Sequence, residues 1–122
     1  MTTAQIVLPN FYKFVLCTEA GLITNTERLL APSSFGSYLS FEILNTKDGK
    51  FKMRTREVDG GAFVGYSDSE RMYLHKKHAQ ADEFEIHLNT IDSTFHLLSS
   101  TNGRVKCTGN AVYPSLTPPL KI

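Results

Sequence analysis

The feature that most constrains the fold of this chain is an internal repeat of short apolar segments. Residues 6–45, 51–89 and 95–122 carry these segments in the same order, although the three copies differ in length. A repeated unit of this size cannot bury its apolar side alone, so the copies must assemble around a shared core. The repeat therefore predicts one all-β domain, residues 1–122, closed around a pseudo-threefold axis.

Each copy contains four predicted strands. In chain order they are Ile6–Leu8, Phe14–Cys17, Leu22–Thr24, Phe41–Ile43, Phe51–Met53, Phe63–Tyr66, Met72–Leu74, Phe84–Ile86, Phe95–Leu97, Val105–Cys107, Ala111–Tyr113 and Leu120–Ile122. The distance between copies varies while the strands persist, as expected when loops absorb the changes in length. In a closed ring the first strand should lie beside the last, which leaves no long unpaired edge.

The alignment of the copies also predicts which side chains share a layer of the core. Two layers are expected, with one residue from each copy: Val15, Val64 and Val105 in the first, and Phe41, Phe84 and Leu120 in the second. The two cysteines, Cys17 and Cys107, fall at matching positions of different copies, which places them a barrel width apart. A disulfide needs Cα atoms within roughly 7 Å, so two buried free thiols are predicted.

Composition and charge exclude several functions. The chain has 122 residues, 41% of them hydrophobic, and a formal net charge of +1. A binder of phosphate backbones is usually strongly basic, so nucleic acid is not an expected partner. No apolar run approaches the length of a membrane-spanning helix, and membrane insertion is not expected. The N-terminus lacks the pattern of a secretory signal, which predicts a cytoplasmic protein, or a secreted one if the chain is a processed form.

The middle and third copies contain the motifs that resemble a known group of proteins. The middle copy has G-x-F-V-x-Y-S-D from Gly61, then M-Y-L-H and F-E-I, and the third has an F-x-L strand and N-G-R-V-K from Asn102. Over the whole chain this order resembles the β-trefoil modules of the fascin and hisactophilin type. The resemblance implies a six-stranded barrel capped by three hairpins. Proteins of this fold bind actin, sugars, proteases or receptors.

The residues give little support to catalysis or metal binding. His75 and His78 have a spacing found among metal ligands, with Asp68 and Asp82 nearby, but zinc sites need three or four ligands in fixed geometry. The chain has no nucleophile elbow and no glycine loop of the kind that holds phosphates. A non-catalytic binding protein without metal or cofactor is expected.

The middle copy also holds the best candidate for a binding site, on the hairpin of its second and third strands and the loop that follows. Sugars are bound by aromatic faces together with carboxylate, amide and imidazole groups, and this segment mixes all of these types. The predicted function is a lectin that binds glycans, as a monomer or homodimer. The candidate residues, two of them from the third copy, are Tyr66, Asp68, Tyr73, His75, Lys76, His78, Asp82, Asn110 and Tyr113.

An alternative surface lies on the first strand of the middle copy. Residues 50–56 alternate strictly between apolar and basic side chains, which predicts a half-buried antiparallel strand with one cationic face. Such a stripe could dock on F-actin or on an anionic surface, and actin is a partner that the family resemblance also implies. The residues of this alternative site are Lys47, Lys50, Lys52, Arg54 and Arg56.

Overall fold

The computed structural model describes residues 3–33, 38–58 and 60–115, and in these residues it contains strands and no α-helix. A single 3-10 turn spans His78–Gln80. The strands are β1 Thr3–Ile6, β2 Lys13–Thr18, β3 Gly21–Thr26, β4 Leu29–Ser33, β5 Phe41–Asn45, β6 Phe51–Thr55, β7 Ala62–Tyr66, β8 Met72–His75, β9 Phe84–Asn89, β10 Thr94–Ser99, β11 Gly103–Arg104, β12 Lys106–Cys107, β13 Asn110–Ala111 and β14 Tyr113–Ser115. The all-β prediction is confirmed.

Seven of these strands close into an antiparallel barrel. Around the ring the order is β6, β5, β2, β3, β4, β8 and β7, and the pairing of Thr55 with Ala62 joins β7 back to β6. Strand β9 meets the ring where Phe84 pairs with Phe51, and it continues outward into β10 and β11. Strand β1 pairs with β9 on the edge opposite β10. Strand β14 pairs with β2, and β12 and β13 form a separate hairpin.

The interior of the barrel is filled by alternate residues of its strands. In β6, Phe51, Met53 and Thr55 are buried while Lys52 and Arg54 are partly exposed, which confirms the alternation predicted there. Because successive side chains of a strand point to opposite faces, one apolar face per strand is enough to build this core. The core includes Phe41 and Phe84, both 0% exposed, so these two members of the predicted second layer are buried as expected.

The predicted strands between Phe14 and Leu97 all occur in the structure, but strand β4 was not predicted. It pairs with β3 and, at Leu29, with Tyr73 of β8. Its sequence contains Pro32, and proline argues against a strand inside a sheet because it donates no ladder hydrogen bond. Strand β4 is one of the seven strands of the ring, whereas the resemblance implied six.

Differences also occur at the two ends of the chain. The first strand is Thr3–Ile6 and not Ile6–Leu8, and it pairs with β9. The expected pairing of the first strand with the last involves residues outside the described part of the chain. Val105 is buried as predicted but lies between β11 and β12, outside both strands. Val112 is also buried and lies between β13 and β14, and its N donates to Val105 O at 3.0 Å. The predicted strand Leu120–Ile122 lies outside the described residues.

The first predicted core layer needs one correction. Val64 and Val105 are buried, but Val15 is only half-buried, and its neighbours Phe14 and Leu16 point into the core. The alignment matched the Phe-Val pair of β2 with the Phe-Val pair of β7, and Phe63 of β7 is partly exposed. This alignment of the two Phe-Val pairs is displaced by one residue. Because successive side chains of a strand point to opposite faces, the displacement assigns Val15 to the wrong face.

Both cysteines are free, as predicted. Cys107 is buried and its Sγ donates to the Leu30 carbonyl oxygen at 3.1 Å, whereas Cys17 is only half-buried. Burial raises the pKa of both thiols above their ordinary value, so they are protonated at neutral pH. Among the described residues, no helix has the length and apolar character required to cross a membrane.

Candidate functional site

The candidate site is built on the β7–β8 hairpin of the barrel. The two strands pair from Phe63 with His75 to Tyr66 with Met72. The turn between them is closed by hydrogen bonds from Ser67 N to Arg71 O and from Glu70 N to Ser67 O, of 2.8 and 2.9 Å. This turn holds Asp68 at an exposed tip, where its carboxylate has no hydrogen-bond partner among the described residues.

Tyr73 and His75 project from the outer face of β8, since Met72 and Leu74 take the buried face. Their ring centroids are 5.0 Å apart at an interplanar angle of 64°, an edge-to-face contact. His75 Nε2 lies 2.9 Å from the backbone oxygen of Tyr66, and a carbonyl can only accept, so Nε2 carries the hydrogen. We call Tyr73 and His75 the ring pair, which is therefore fixed in orientation and half-exposed.

Gly65 in β7 allows a backbone segment to pack behind the ring pair. A Cβ atom at this position would lie 2.6 Å from the backbone oxygen of Gln80 and 2.8 Å from His75 Cδ2. The segment is held in place by a hydrogen bond of 3.1 Å from Asp82 N to Val64 O. The missing side chain thus brings the 3-10 turn against the imidazole, and places Gln80 at the edge of the ring pair.

Two shallow depressions flank the ring pair, and both are lined by Tyr73, His75 and Gln80. The first, the hydroxyl side, adds Ser67, Asp68 and Ser69. The second, the cationic side, adds Arg28, Lys76 and Lys77. Together with the ring pair they form one continuous surface, which we call the groove. It unites four predicted residues: Asp68, Tyr73, His75 and Lys76.

Two other predicted residues of the middle copy, Tyr66 and Asp82, lie outside the groove. The hydroxyl of Tyr66 is buried without a hydrogen-bond partner among the described residues, and burial raises its pKa. The Asp82 carboxylate accepts hydrogen bonds from the hydroxyls of Ser99 and Thr101, the latter at 3.1 Å, and from Glu83 N at 2.9 Å. Asp82 therefore ties the loop before β9 to the end of β10, and it does not line the groove.

His78 is separated from His75 because strand β8 ends between them. Its ring contacts Phe63 edge-on at 5.2 Å, and Lys52 Nζ lies 3.3 Å from its Nδ1 and donates to its backbone oxygen at 3.0 Å. The two histidines thus lie on different surfaces of the protein. Among the described residues, no group of three or more metal-binding side chains is present.

The third-copy candidates also lie away from the groove. Tyr113 has the Arg104 guanidinium 5.2 Å from its ring centroid and the His96 ring at 5.9 Å. Asn110 belongs to β13 and pairs with Cys107. Neither Asn110 nor Tyr113 lines the two depressions, so the structure does not join them to the predicted site.

The alternative basic stripe is partly neutralised by an acid that the sequence reasoning missed. Glu42 of β5, only 4% exposed, pairs with Arg54 across the strands, and its Oε1 accepts hydrogen bonds from Arg54 Nε at 2.5 Å and Arg56 Nε at 2.9 Å. Burial would raise the pKa of Glu42, but the hydrogen bonds and charges of the two arginines outweigh it and lower the pKa. Glu42 does not bind Lys47 and Lys50, which lie on the turn that leads into β6.

A small cavity lies beside this ion pair and is lined by Lys13, Glu42, Arg54 and other residues. Glu42, Arg54 and Arg56 in its lining already bind one another, so these groups offer little to a ligand. The groove is more open, but Asp68, Lys76 and the Gln80 side chain have no hydrogen-bond partner among the described residues. Their bonding capacity is directed to solvent or to a ligand.

Four residues of the groove were missed by the sequence reasoning that found their neighbours: Arg28, Ser69, Lys77 and Gln80. Three of them are adjacent in sequence to predicted residues or to the 3-10 turn and could have been included. Arg28 comes from the first copy and approaches only because β4 pairs with β8, which no local pattern indicated.

Comparisons with protein-family models, with curated proteins and with solved structures find no match to this chain. Function is therefore inferred from the residues of the groove.

Proposed function

We propose that this protein is a non-catalytic carbohydrate-binding module, a lectin, and that the groove is its saccharide site. The observation that carries the proposal is the half-exposed ring pair with Asp68 on one flank and Lys76 on the other, whose side chains have no hydrogen-bond partner among the described residues. A ligand site typically combines an apolar surface with a few well-placed polar groups. The groove has this composition on a rigid hairpin of the barrel.

The chemistry of a sugar matches this arrangement. The C–H face of a pyranose packs on an aromatic ring, and its hydroxyls donate to carboxylates and exchange hydrogen bonds with amides. In the groove, Tyr73 supplies the ring face, Asp68 accepts from hydroxyls on one side, and Gln80 can donate and accept at the edge. His75, with its hydrogen on Nε2, presents Nδ1 as an acceptor when the ring is neutral.

The proposal is binding without hydrolysis, and the number of carboxylates at the groove supports it. Glycoside hydrolysis usually requires two carboxyl groups that flank the scissile bond, about 5 to 9.5 Å apart. Asp68 is the one carboxylate among the described residues that line the groove. A second acid for proton transfer is missing from this part of the chain, and recognition is the activity that remains.

The finer fold assignment is part of the same proposal. A β-trefoil of the fascin and hisactophilin type is supported by the barrel, by the β7–β8 hairpin and by two similar aromatic contacts. Phe14 and Phe41 in the first copy have ring centroids 6.4 Å apart, and Phe51 and Phe84 in the second are 6.3 Å apart. In this proposal the protein acts as a monomer or homodimer that displays unequal hairpins.

Docking on F-actin or on an anionic surface is the competing proposal. It rests on the basic stripe, and the pairing of Arg54 and Arg56 with Glu42 reduces the charge that the stripe presents. The cations that remain there are the exposed Lys47 and the half-buried Lys50 of the turn, together with Lys52, which is half-buried and bonded to His78. The charge distribution therefore favours the groove.

A glycan array with neutral and acidic glycans, run beside actin co-sedimentation, tests the proposal. We expect glycan binding that Asp68→Asn weakens about 5- to 10-fold, the difference of about 1 to 1.5 kcal/mol between charged and neutral hydrogen bonds. Asp48→Asn is the matched control, since Asp48 is also exposed but lies on the β5–β6 turn. A blank array, with salt-sensitive pelleting on actin that charge reversal of Lys47 and Lys50 removes, contradicts the proposal.

A further inference from the structure

We propose that the groove selects an acidic saccharide and holds the anionic group of the ligand on its cationic side. This inference rests on the proposed function and specifies the class of glycan. It follows from the unequal distribution of charge about the ring pair. The cationic side is lined by Arg28, Lys76 and Lys77, and no carboxylate lines it among the described residues, whereas the hydroxyl side carries Asp68.

The lysines of the cationic side are placed by the end of β8. Lys76 and Lys77 follow His75 directly and are both exposed, and a hydrogen bond of 3.0 Å from Gln80 N to Lys77 O closes the turn after them. Their ammonium groups have no partner among the described residues. Two solvated cations therefore stand beside the imidazole of the ring pair.

Arg28 is brought to the same side by contacts with the backbone of β8. Leu74 N donates to Arg28 O at 2.8 Å, and Arg28 Nη1 donates to Leu74 O at 3.1 Å. The residue has a left-handed backbone with φ of 72°, and Asn25 Oδ1 accepts its backbone N–H at 2.9 Å. Arg28, the third cation, is thus held on this side by its bonds to Leu74 and Asn25, although it is far from the two lysines in sequence.

These charges give the ligand one favoured orientation. An anionic group near Asp68 would be repelled, while the same group near the two lysines would be attracted. The ligand that fits has a neutral sugar ring stacked on Tyr73, hydroxyls toward Asp68, and a carboxylate or sulfate toward Lys76 and Lys77. Since these cations are exposed, each contact is modest, and together we expect a preference of about 3- to 30-fold over the neutral form.

Two matched pairs of ligands test the inference by calorimetric titration. The first pair is a hyaluronan tetrasaccharide and the same compound with its uronate carboxylates reduced to alcohols. The second is lactose 3′-sulfate and lactose, so the two pairs distinguish a carboxylate from a sulfate as the recognised group. We expect tighter binding of the acidic member in at least one pair. That preference should decline as salt is raised, because exposed charges are screened.

Variants identify the residues responsible. Lys76→Gln combined with Lys77→Gln should reduce the preference for the acidic member to the part that Arg28 supports, and Lys106→Gln, at an exposed position on β12, should preserve it in full. Asp68→Asn should weaken binding of both members of a pair. The far-UV circular dichroism of each variant shows that the barrel is retained.

The outcomes separate this inference from the proposed function. Equal affinity within both pairs, or an acidic preference that the double lysine variant leaves undiminished, overturns the inference. Binding of neutral glycans alone on the array also overturns it and leaves the lectin proposal standing. An array without any binding, neutral or acidic, overturns the proposed function itself.

Discussion

Replacing Gly65 by alanine should distort the groove from behind. The new Cβ would lie 2.6 Å from the Gln80 backbone oxygen and 2.8 Å from His75 Cδ2, closer than carbon atoms normally approach either. The contact with Gln80 is to backbone, which cannot turn away as a flexible side chain could. Overpacking of this kind costs about 1 to 3 kcal/mol. Alanine recovers about 0.5 to 1 kcal/mol over glycine in a strand, which leaves a net loss of about 0 to 2.5 kcal/mol, centred near 1 kcal/mol.

Urea unfolding measures this loss, and Gly109→Ala provides a matched control. Gly109 has a left-handed backbone with φ of 84°, and a Cβ there would meet nothing within 4 Å. Its replacement costs about 1 to 2 kcal/mol through backbone strain alone. Both variants should therefore be destabilised to a similar extent, but only Gly65→Ala should shift the His75 imidazole signals and weaken glycan binding. Unchanged stability and an unchanged His75 signal in Gly65→Ala would refute this account of the groove.

Three further predictions follow from buried polar groups. Glu42→Gln should reduce the free energy of unfolding by about 1 to 3 kcal/mol, because it removes the charge that two arginines bind; a urea titration checks this. Tyr66→Phe should be neutral or slightly stabilising in the same assay, because the buried hydroxyl has no hydrogen-bond partner among the described residues. Burial lowers the pKa of His96 below 6.5, and the positive charge of Arg104 lowers it further. Stability should therefore fall as pH drops from about 6.5 through this lower pKa, and thermal unfolding of His96→Gln should show a shallower pH dependence in that window.

The sequence predicted the elements whose signal is local. Strand β6 has strict alternation, and strands β7 and β8 are joined by a polar turn, so their faces and pairing followed from side-chain period alone. The free cysteines followed from their repeat positions. Strand β4 was missed because Pro32 contradicts the usual strand composition, and only the pairing with β3 and β8 reveals it.

The site was predicted in part for the same reason. Tyr73 and His75 alternate with buried residues and had to face outward, and Lys76 continues from them. His78 and Asp82 are close in sequence, but the chain turns after β8 and directs them to Lys52 and to β10. The acid that compensates the basic stripe, Glu42, was missed for another reason: it is buried between the buried Phe41 and Ile43, and strand alternation would place it on the exposed face.

The most direct test of the central claim is a proton NMR titration of the histidine imidazoles with the glycan that binds most strongly on the array. The chain has four histidines, which are His75, His78, His87 and His96. His75 lines the groove, while His87 and His96 face each other on β9 and β10 and serve as internal controls. Saturation with glycan should shift the His75 signals and leave those of His87 and His96 in place. A saturable titration that leaves His75 unmoved, or that shifts His96 instead, would contradict a saccharide site at the ring pair.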